Sequence, residues 1–121
     1  MTHLISSPKK VAKKWGEEIW IVNNDRYCGK YLIINKGSCS SLHYHPKKTE
    51  SFMCIKGLVM LYVRIKNELK EYIMERNDVV ITLMPETPHA FQGMTEGATL
   101  LEISTTHSDE DVVRLTESTG G

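Results

Sequence analysis

The sequence predicts an all-β fold built as a single domain. The chain has 121 residues, and a chain of this length ordinarily forms one hydrophobic core. From residue 17 onward, short apolar runs rich in β-branched and aromatic residues alternate with turn-forming segments, a pattern typical of a β-sandwich or β-barrel. The runs are EIWIVNN, YLIIN, SLHYH, SFMCI, LVMLYVRI, LKEYIM, DVVITLM, HAF and ATLLEIS.

The segments between and around these runs indicate where the predicted strands and the domain begin and end. NNDR, NKGS, PKKT, KG, KNE, RND, PETP and GMTEG separate the runs, and their Gly, Pro, Asn and Asp residues favour turns. Ser108 with Asp111 three residues later forms a capping pattern, which predicts one short C-terminal helix. We therefore expect a flexible or strand-exchanging arm over residues 1–14, one domain over 15–116 and a fraying tail over 117–121.

Charge and hydropathy exclude several classes of function. The chain carries 15 basic and 15 acidic residues, so it lacks the basic footprint of a nucleic-acid or membrane-surface binder. No apolar run approaches the roughly 20 residues that span a bilayer. The N-terminus MTHLISSPKKVAKKW is too polar for a secretory signal. We expect neither nucleic-acid nor membrane partners.

Some reactive side chains have no partner in the sequence. The three cysteines, Cys28, Cys39 and Cys54, are an odd number without a C-x-x-C pair, which predicts free thiols and a reducing cytoplasmic location. His3 and His107 stand alone and are predicted to be surface residues.

The remaining histidines form a candidate metal site. His43 and His45 are two residues apart in a predicted strand, so both side chains project from the same face. A hairpin over residues 46–49 would return Glu50 beside them, and His89 opens another run. Three imidazoles and a carboxylate suit Zn²⁺, Mn²⁺, Fe²⁺, Co²⁺ or Ni²⁺ and leave coordination positions open. The alternative is that each is an ordinary surface residue, but the spacing of the set favours one divalent transition metal.

The spacing resembles the first signature of the cupin superfamily. Gly37-x5-His43-x-His45-x4-Glu50-x6-Gly57 agrees with that signature at every fixed position. The resemblance covers most of residues 15–105 and implies a cupin jelly-roll β-barrel with the metal inside.

The second cupin signature is present in a degraded form. Asp78 and His89 keep their places, whereas Asn77, Met84 and Glu86 replace a glycine, a proline and a glycine, and one residue is inserted. By the resemblance His89 supplies the fourth metal ligand.

Both flanks of this region resemble the cupin module of type II phosphomannose isomerases and related small sugar-isomerase-like cupins. The segments are KWGEEIW (14–20), NNDRYCGK (23–30), LEIS (101–104) and SDEDVVRL (108–115). The resemblance implies a metal-dependent sugar or sugar-phosphate isomerase, mannose-6-phosphate isomerase-like, with a small-molecule sugar as its ligand.

An isomerase of this kind needs a base beside the metal. Glu102 is a charge in an otherwise apolar strand and is the candidate catalytic base, although strand alternation equally allows it to face solvent. Tyr62 and Lys66 are expected to line or rim the barrel. Arg114 or Lys30 is expected to bind an anionic group such as a sugar phosphate.

Two other functions remain open. One is a cupin that binds a metal and a small ligand without turnover, and the other is a cupin oxygenase or oxalate-type enzyme with the same ligands. Nucleotide-sugar epimerases share the fold but work without metal, so the ligand set argues against them. By resemblance to small cupins, a homodimer formed by exchange of the N-terminal arm is expected.

Overall fold

A computed structural model describes residues 2–120, and all regular structure within them is β-strand. The strands are β1 (Lys9–Lys13), β2 (Gly16–Asn23), β3 (Cys28–Ile34), β4 (His43–Tyr44), β5 (Glu50–Lys56), β6 (Val59–Ile65), β7 (Glu68–Met74), β8 (Val80–Leu83), β9 (His89–Gly93), β10 (Ala98–Ser104) and β11 (Val113–Arg114). Over this part of the chain there is no helix that could cross a membrane.

The strands form two sheets that enclose the core. The larger sheet has the order β1-β2-β3-β10-β5-β8, and the smaller has the order β11-β4-β9-β6-β7. All named strand pairs are antiparallel. Alternation along the strands buries one face of each sheet, as β5 and β6 show with every second residue inside. The all-β prediction is confirmed.

The core lies between the sheets, and some of its members also line the cavity that contains the histidines. Trp15 is 4% exposed and packs edge-on against Phe91, with ring centroids 4.9 Å apart. Leu32, Leu61 and Leu100 are buried in the same cluster. Burial of these side chains is the main stabilising contribution to the fold.

The C-terminal segment differs from the prediction of a short helix. Asp111 N–H donates to the Ser108 carbonyl at 3.0 Å, closing a single turn. The chain then extends as β11 against β4, and Leu115 N–H donates to the Leu42 carbonyl at 2.7 Å. A helix of about two turns is marginal in water by itself, so pairing with an existing sheet prevails.

The two predicted terminal segments are partly ordered. Within the predicted arm, β1 pairs with β2 of the same chain, whereas Leu4 and Ile5 before it are exposed. In the tail, Thr119 bridges Cys39 through two backbone hydrogen bonds. Met1 and Gly121 lie outside the described residues. The domain boundaries and the exchange of the arm stay predictions.

Candidate active site

Three strands bring the predicted metal ligands together. His43 lies on β4, directly opposite His89 on β9, and His45 follows β4 by one residue. Glu50 begins β5 in the facing sheet. Because His43 and His45 share strand parity, both imidazoles point between the sheets, where Glu50 and His89 also lie. The structure therefore assembles all four residues that the spacing selected.

The four side chains converge on one point. The ligand atoms of the three imidazoles lie within 4.8 Å of one another. Glu50 Oε2 is 3.0 Å from His89 Nε2 and 3.4 Å from His45 Nε2. His45, Glu50 and His89 are buried, and His43 is half-buried. A group this compact can serve one ion.

The backbone sets the tautomer of each imidazole. In every case Nδ1 contacts a backbone carbonyl, which accepts only, so Nδ1 carries the proton and Nε2 presents a lone pair to the centre. The pairs are His43 with Ser41 at 2.8 Å, His45 with Asp111 at 2.7 Å and His89 with Thr87 at 2.9 Å. Such contacts are typical of metal-ligating histidines.

The electrostatics of the group suit a cation. Burial lowers the pKa of His43 to about 3 and that of His45 to about 4, so both rings are neutral near pH 7. Burial alone would raise the pKa of Glu50, but its contact with His89 and the nearby charge of Lys48 lower it. His89 Nε2 is buried without a well-formed hydrogen bond and lies 3.0 Å from Glu50 Oε2. A divalent transition metal would give this nitrogen and the carboxylate a common partner, and the residues fit one.

The quartet lines a cavity of about 510 Å³ between the sheets. Phe52 and Phe91 form apolar parts of its wall, whereas the exposed Lys14 and Arg114 lie at its edge. Cavities of roughly 300–1,000 Å³ are typical of small-molecule sites.

Glu102 projects into this cavity and not into solvent. It is 4% exposed, and its Oε2 lies 3.3 Å from Lys48 Nζ. The same ammonium is 3.8 Å from Glu50 Oε1. Burial raises the pKa of Glu102, while Lys48 opposes the shift. For Lys48, burial would lower the pKa, but the carboxylates of Glu102 and Glu50 raise it. Lys48 therefore carries a positive charge between two carboxyl groups.

Lys30 is also inside the cavity, and its charge is already matched. It is 1% exposed, with Nζ 3.6 Å from Glu18 Oε1 and 4.5 Å above the ring of Trp20. Trp20 Nε1 donates to the same Glu18 oxygen at 2.8 Å. Burial would raise the pKa of Glu18, but Lys30 and this hydrogen bond lower it. The ion pair of Lys30 with Glu18 is therefore a structural part of the cavity wall.

The structure does not bring Tyr62 and Lys66 to the cavity. On β6, Leu61 and Val63 are buried, so alternation turns Tyr62 to the outer face of the smaller sheet, where its hydroxyl donates to Gln92 at 2.8 Å. Lys66 is exposed in the turn after β6 and has a positive φ of 58°. The expectation that these two residues line or rim the site is wrong for this reason.

Two cavity residues were missed in the sequence. Lys48 lies two residues before Glu50, and this shared parity is a signal that the basic turn PKKT obscured. His107 was predicted to be a surface residue, but it lines the cavity, with Nδ1 3.2 Å from Lys48 Nζ and Nε2 2.9 Å from Asp109 Oδ1. No local sequence pattern predicts that His107 lines the cavity, because its position depends on the path of the loop after β10.

Several known proteins are similar in sequence to this chain. A D-lyxose ketol-isomerase of a Thermofilum species is 35% identical, with 79% of this chain and 66% of that protein covered. A D-lyxose/D-mannose isomerase of Thermosediminibacter oceani is 33% identical, with 74% of this chain and 61% of that protein covered. The chain thus spans 61 to 66% of the length of these curated relatives. No protein-family model matches the sequence.

Solved structures show the same fold. The capsular polysaccharide assembling protein CapF of Staphylococcus aureus superposes with a TM-score of 0.79 over 95% of this chain and 33% of its own, at 18% identity. This chain has the cupin fold. Oxalate decarboxylase of Bacillus subtilis also superposes on this cupin, with a TM-score of 0.78 over 93% of this chain and 33% of its own, at 18% identity. At these identities the structural neighbours support the fold alone.

Proposed function

We propose that this cupin is a metal-dependent isomerase that interconverts an aldose and a ketose. The observation that carries the proposal is the joint placement of two sets in one cavity, the quartet His43, His45, Glu50 and His89 and the buried pair of Glu102 with Lys48. Similarity to proteins named D-lyxose ketol-isomerase and D-lyxose/D-mannose isomerase supports the same reaction class.

The quartet would hold the metal through three Nε2 atoms and a Glu50 oxygen. When bound, a divalent cation there supplies Lewis acidity toward the carbonyl and hydroxyl oxygens of a sugar. Zn²⁺, Mn²⁺, Fe²⁺, Co²⁺ and Ni²⁺ all suit this donor set. A structure of oxalate decarboxylase describes Mn(II) centres in that protein, and the same fold makes Mn²⁺ one of the ions to test.

Glu102 is the group we assign to proton transfer. The reaction removes a proton from the carbon beside a carbonyl and returns it to the neighbouring carbon, so one carboxylate can perform both steps. Burial raises the pKa of Glu102, which strengthens the ionised form as a base. Its position beside the quartet brings the carboxylate to a sugar that occupies the cavity.

Lys48 is the group we assign to charge balance during that transfer. Its ammonium lies 3.3 Å from Glu102 and opposes the rise that burial causes in the pKa of this carboxyl group. When Glu102 takes the proton, the ammonium loses one carboxylate partner and can donate instead to an oxygen of the sugar. Lys48 would therefore contact the Glu102 carboxylate before the proton transfer and an oxygen of the sugar after it.

For the substrate, we propose a free sugar in preference to a sugar phosphate. Lys30, a candidate phosphate ligand in the sequence, is buried and already paired with Glu18. Arg114 and Lys14 remain as exposed cations at the edge of the cavity, so phosphorylated sugars form a second arm of the assay.

The test combines metal content with turnover. The chain is stripped of metal, reloaded separately with each of the five ions, and assayed with D-lyxose, D-mannose and mannose 6-phosphate for formation of the ketose. Glu102→Gln keeps the shape but removes the base, and we expect at least a 100-fold loss of kcat with bound metal unchanged. Glu71→Gln, on the outer face of the smaller sheet, is the matched control and should retain full activity.

Each outcome separates the functions still open. Turnover that depends on metal and on Glu102 supports the isomerase, and the preferred sugar identifies the substrate class. Saturable sugar binding without conversion would instead indicate a binding cupin. Oxygen consumption with the Fe²⁺ or Mn²⁺ form would indicate an oxygenase. Either result overturns the isomerase proposal.

A further inference from the structure

Four hydrogen-bonded side chains lead from the candidate base out to solvent. Glu102 Oε2 accepts from Lys48 Nζ at 3.3 Å, and the same ammonium lies 3.2 Å from His107 Nδ1. His107 Nε2 in turn is 2.9 Å from Asp109 Oδ1. The side chain of Glu102 is 5% exposed, whereas that of Asp109 is 89% exposed. This series of contacts therefore joins the inside of the cavity to the surface.

The donor and acceptor roles along the series are fixed by its two ends. The Asp109 carboxylate only accepts, so His107 Nε2 carries the proton and Nδ1 presents a lone pair. The Lys48 ammonium only donates, and Nδ1 is the atom it contacts. Burial, followed by the charges of Lys30 and Lys48, lowers the pKa of His107 below its usual 6.5, so the ring is neutral near pH 7. His107 is thus able to take a proton from Lys48.

Both the backbone and the ring of His107 are held in place. Its N–H donates to Asn23 Oδ1 at 2.9 Å, and its carbonyl accepts from Asn23 Nδ2 at 3.0 Å. Its ring packs edge-on against Trp20, with ring centroids 5.0 Å apart. One residue earlier, the Thr106 hydroxyl donates to the Asn24 carbonyl at 2.8 Å. The loop after β10 therefore fixes the imidazole beside Lys48 before a sugar binds.

We propose that His107 and Asp109 form a proton path through which Glu102 exchanges, with solvent, the proton that it takes from the sugar. The proposal rests on the isomerase function proposed above. Lys48 gives a proton to His107 Nδ1 while His107 Nε2 passes its own proton to Asp109, and the resulting Lys48 amine takes the proton from the Glu102 carboxyl group. Asp109 then releases its proton to water. The same steps in reverse return a solvent proton to Glu102, so every group regains its starting charge.

The path determines which hydrogen the product carries. Where exchange is faster than the second proton transfer, the hydrogen that Glu102 delivers to the neighbouring carbon comes from solvent. Without the path, Glu102 delivers the hydrogen that it removed. Conversion in D₂O distinguishes the two cases, because deuterium delivered to carbon stays there in the product. A residue that only supported the fold would not change this ratio.

The test is conversion of D-mannose and D-lyxose in D₂O by the metal-loaded protein, with deuterium at C1 of the ketose measured early in the reaction by NMR and mass spectrometry. We expect most of the ketose from the wild type to carry deuterium. His107→Phe keeps a ring against Trp20 but has no acceptor, and it should lower the deuterium content per turnover by about 5-fold or more. His3→Phe, at an exposed position near the N-terminus, is the matched control and should match the wild type.

A second pair of variants tests the outer end of the path. Asp109→Asn still accepts a hydrogen bond from His107 Nε2 but does not take its proton, so the deuterium content should fall here as well. Glu110→Gln changes an exposed carboxylate one residue away and should leave the deuterium content unchanged. This pair decides the question if His107→Phe fails to fold or has no activity.

The tautomer of His107 is a readout that needs no turnover. Nitrogen-15 NMR of the chain without sugar should show the proton on Nε2, and a proton on Nδ1 would overturn the path. Turnover in which both variants incorporate as much deuterium as the wild type would overturn the path and leave the isomerase function intact. The same holds if the wild type retains the hydrogen of the sugar. Absence of turnover with every sugar would overturn both proposals.

Discussion

Lys30→Met tests how much the buried charges in the cavity wall contribute to stability. The substitution keeps a long unbranched side chain but leaves Glu18 without its cation, at a site where the two side chains are 2% and 13% exposed. Removal of one partner of a buried ion pair costs about 3–5 kcal/mol. Because Trp20 still donates to Glu18, we expect the lower end, about 3 kcal/mol. For a chain of this size that corresponds to a fall in Tm of roughly 10–15 °C.

The assay is urea unfolding of the metal-free chain at pH 7, since bound metal would add its own stabilisation. The double variant Lys30→Met/Glu18→Gln removes both charges and should recover to within about 1 kcal/mol of the wild type. Lys70→Met is the matched control, because Lys70 and Glu68 form an exposed pair at 3.6 Å. Its effect should stay below about 0.5 kcal/mol.

The pH dependence of the same difference is a second readout. The pKa of Glu18 is lowered in the folded state by Lys30, so its contribution to stability is present above the unfolded value of 4.5 and is lost as pH falls through the folded value. The gap between wild type and Lys30→Met should therefore close in acid. The reasoning is refuted if Lys30→Met costs no more than Lys70→Met, or if the double variant is less stable than the single.

The other predictions concern the metal, the base and the core. His89→Ala should reduce bound metal, measured by elemental mass spectrometry, from near one per chain to trace levels, while His3→Ala should not; equal metal in both variants would contradict the site. Because the pKa of Glu102 is raised, kcat/KM should fall in acid with an apparent pKa above 4.5. Lys48→Met removes the charge that opposes this rise, so it should move the apparent pKa of kcat/KM to higher pH. An unchanged apparent pKa in Lys48→Met would contradict the pairing of Lys48 with Glu102. Trp15→Ala should cost about 3–5 kcal/mol in urea unfolding, and a loss below about 1 kcal/mol would contradict its placement in the core.

Local patterns were enough for the fold class and for three of the four candidate metal ligands. Period-2 alternation puts His43 and His45 on one face, and a tight turn returns Glu50, so three of the four residues are related by short-range geometry that the sequence displays. The fourth, His89, lies 39 residues beyond Glu50, so no local constraint relates it to the other three; the degraded second signature supported its choice. The all-β class followed from the many short runs and their turn signals.

The structure of segments that depend on contacts with distant parts of the chain could not be predicted from the sequence. The segment after Ser108 has a sound helix cap, yet it pairs with β4, because an edge strand offers backbone partners that outweigh a short isolated helix. Tyr62 lies in the run LVMLYVRI, in which apolar residues occupy both alternating sets of positions, so the sequence alone could not say which set faces inward.

The sequence by itself determined that this chain is a small β-domain with His43, His45 and Glu50 as candidate metal ligands, because both properties follow from spacings of two to seven residues. Only the tertiary structure decided that Glu102 faces inward and meets Lys48, a residue 54 positions earlier, and that the loop bearing His107 closes over them. Both follow from strand register and sheet order, which depend on the packing of the whole chain.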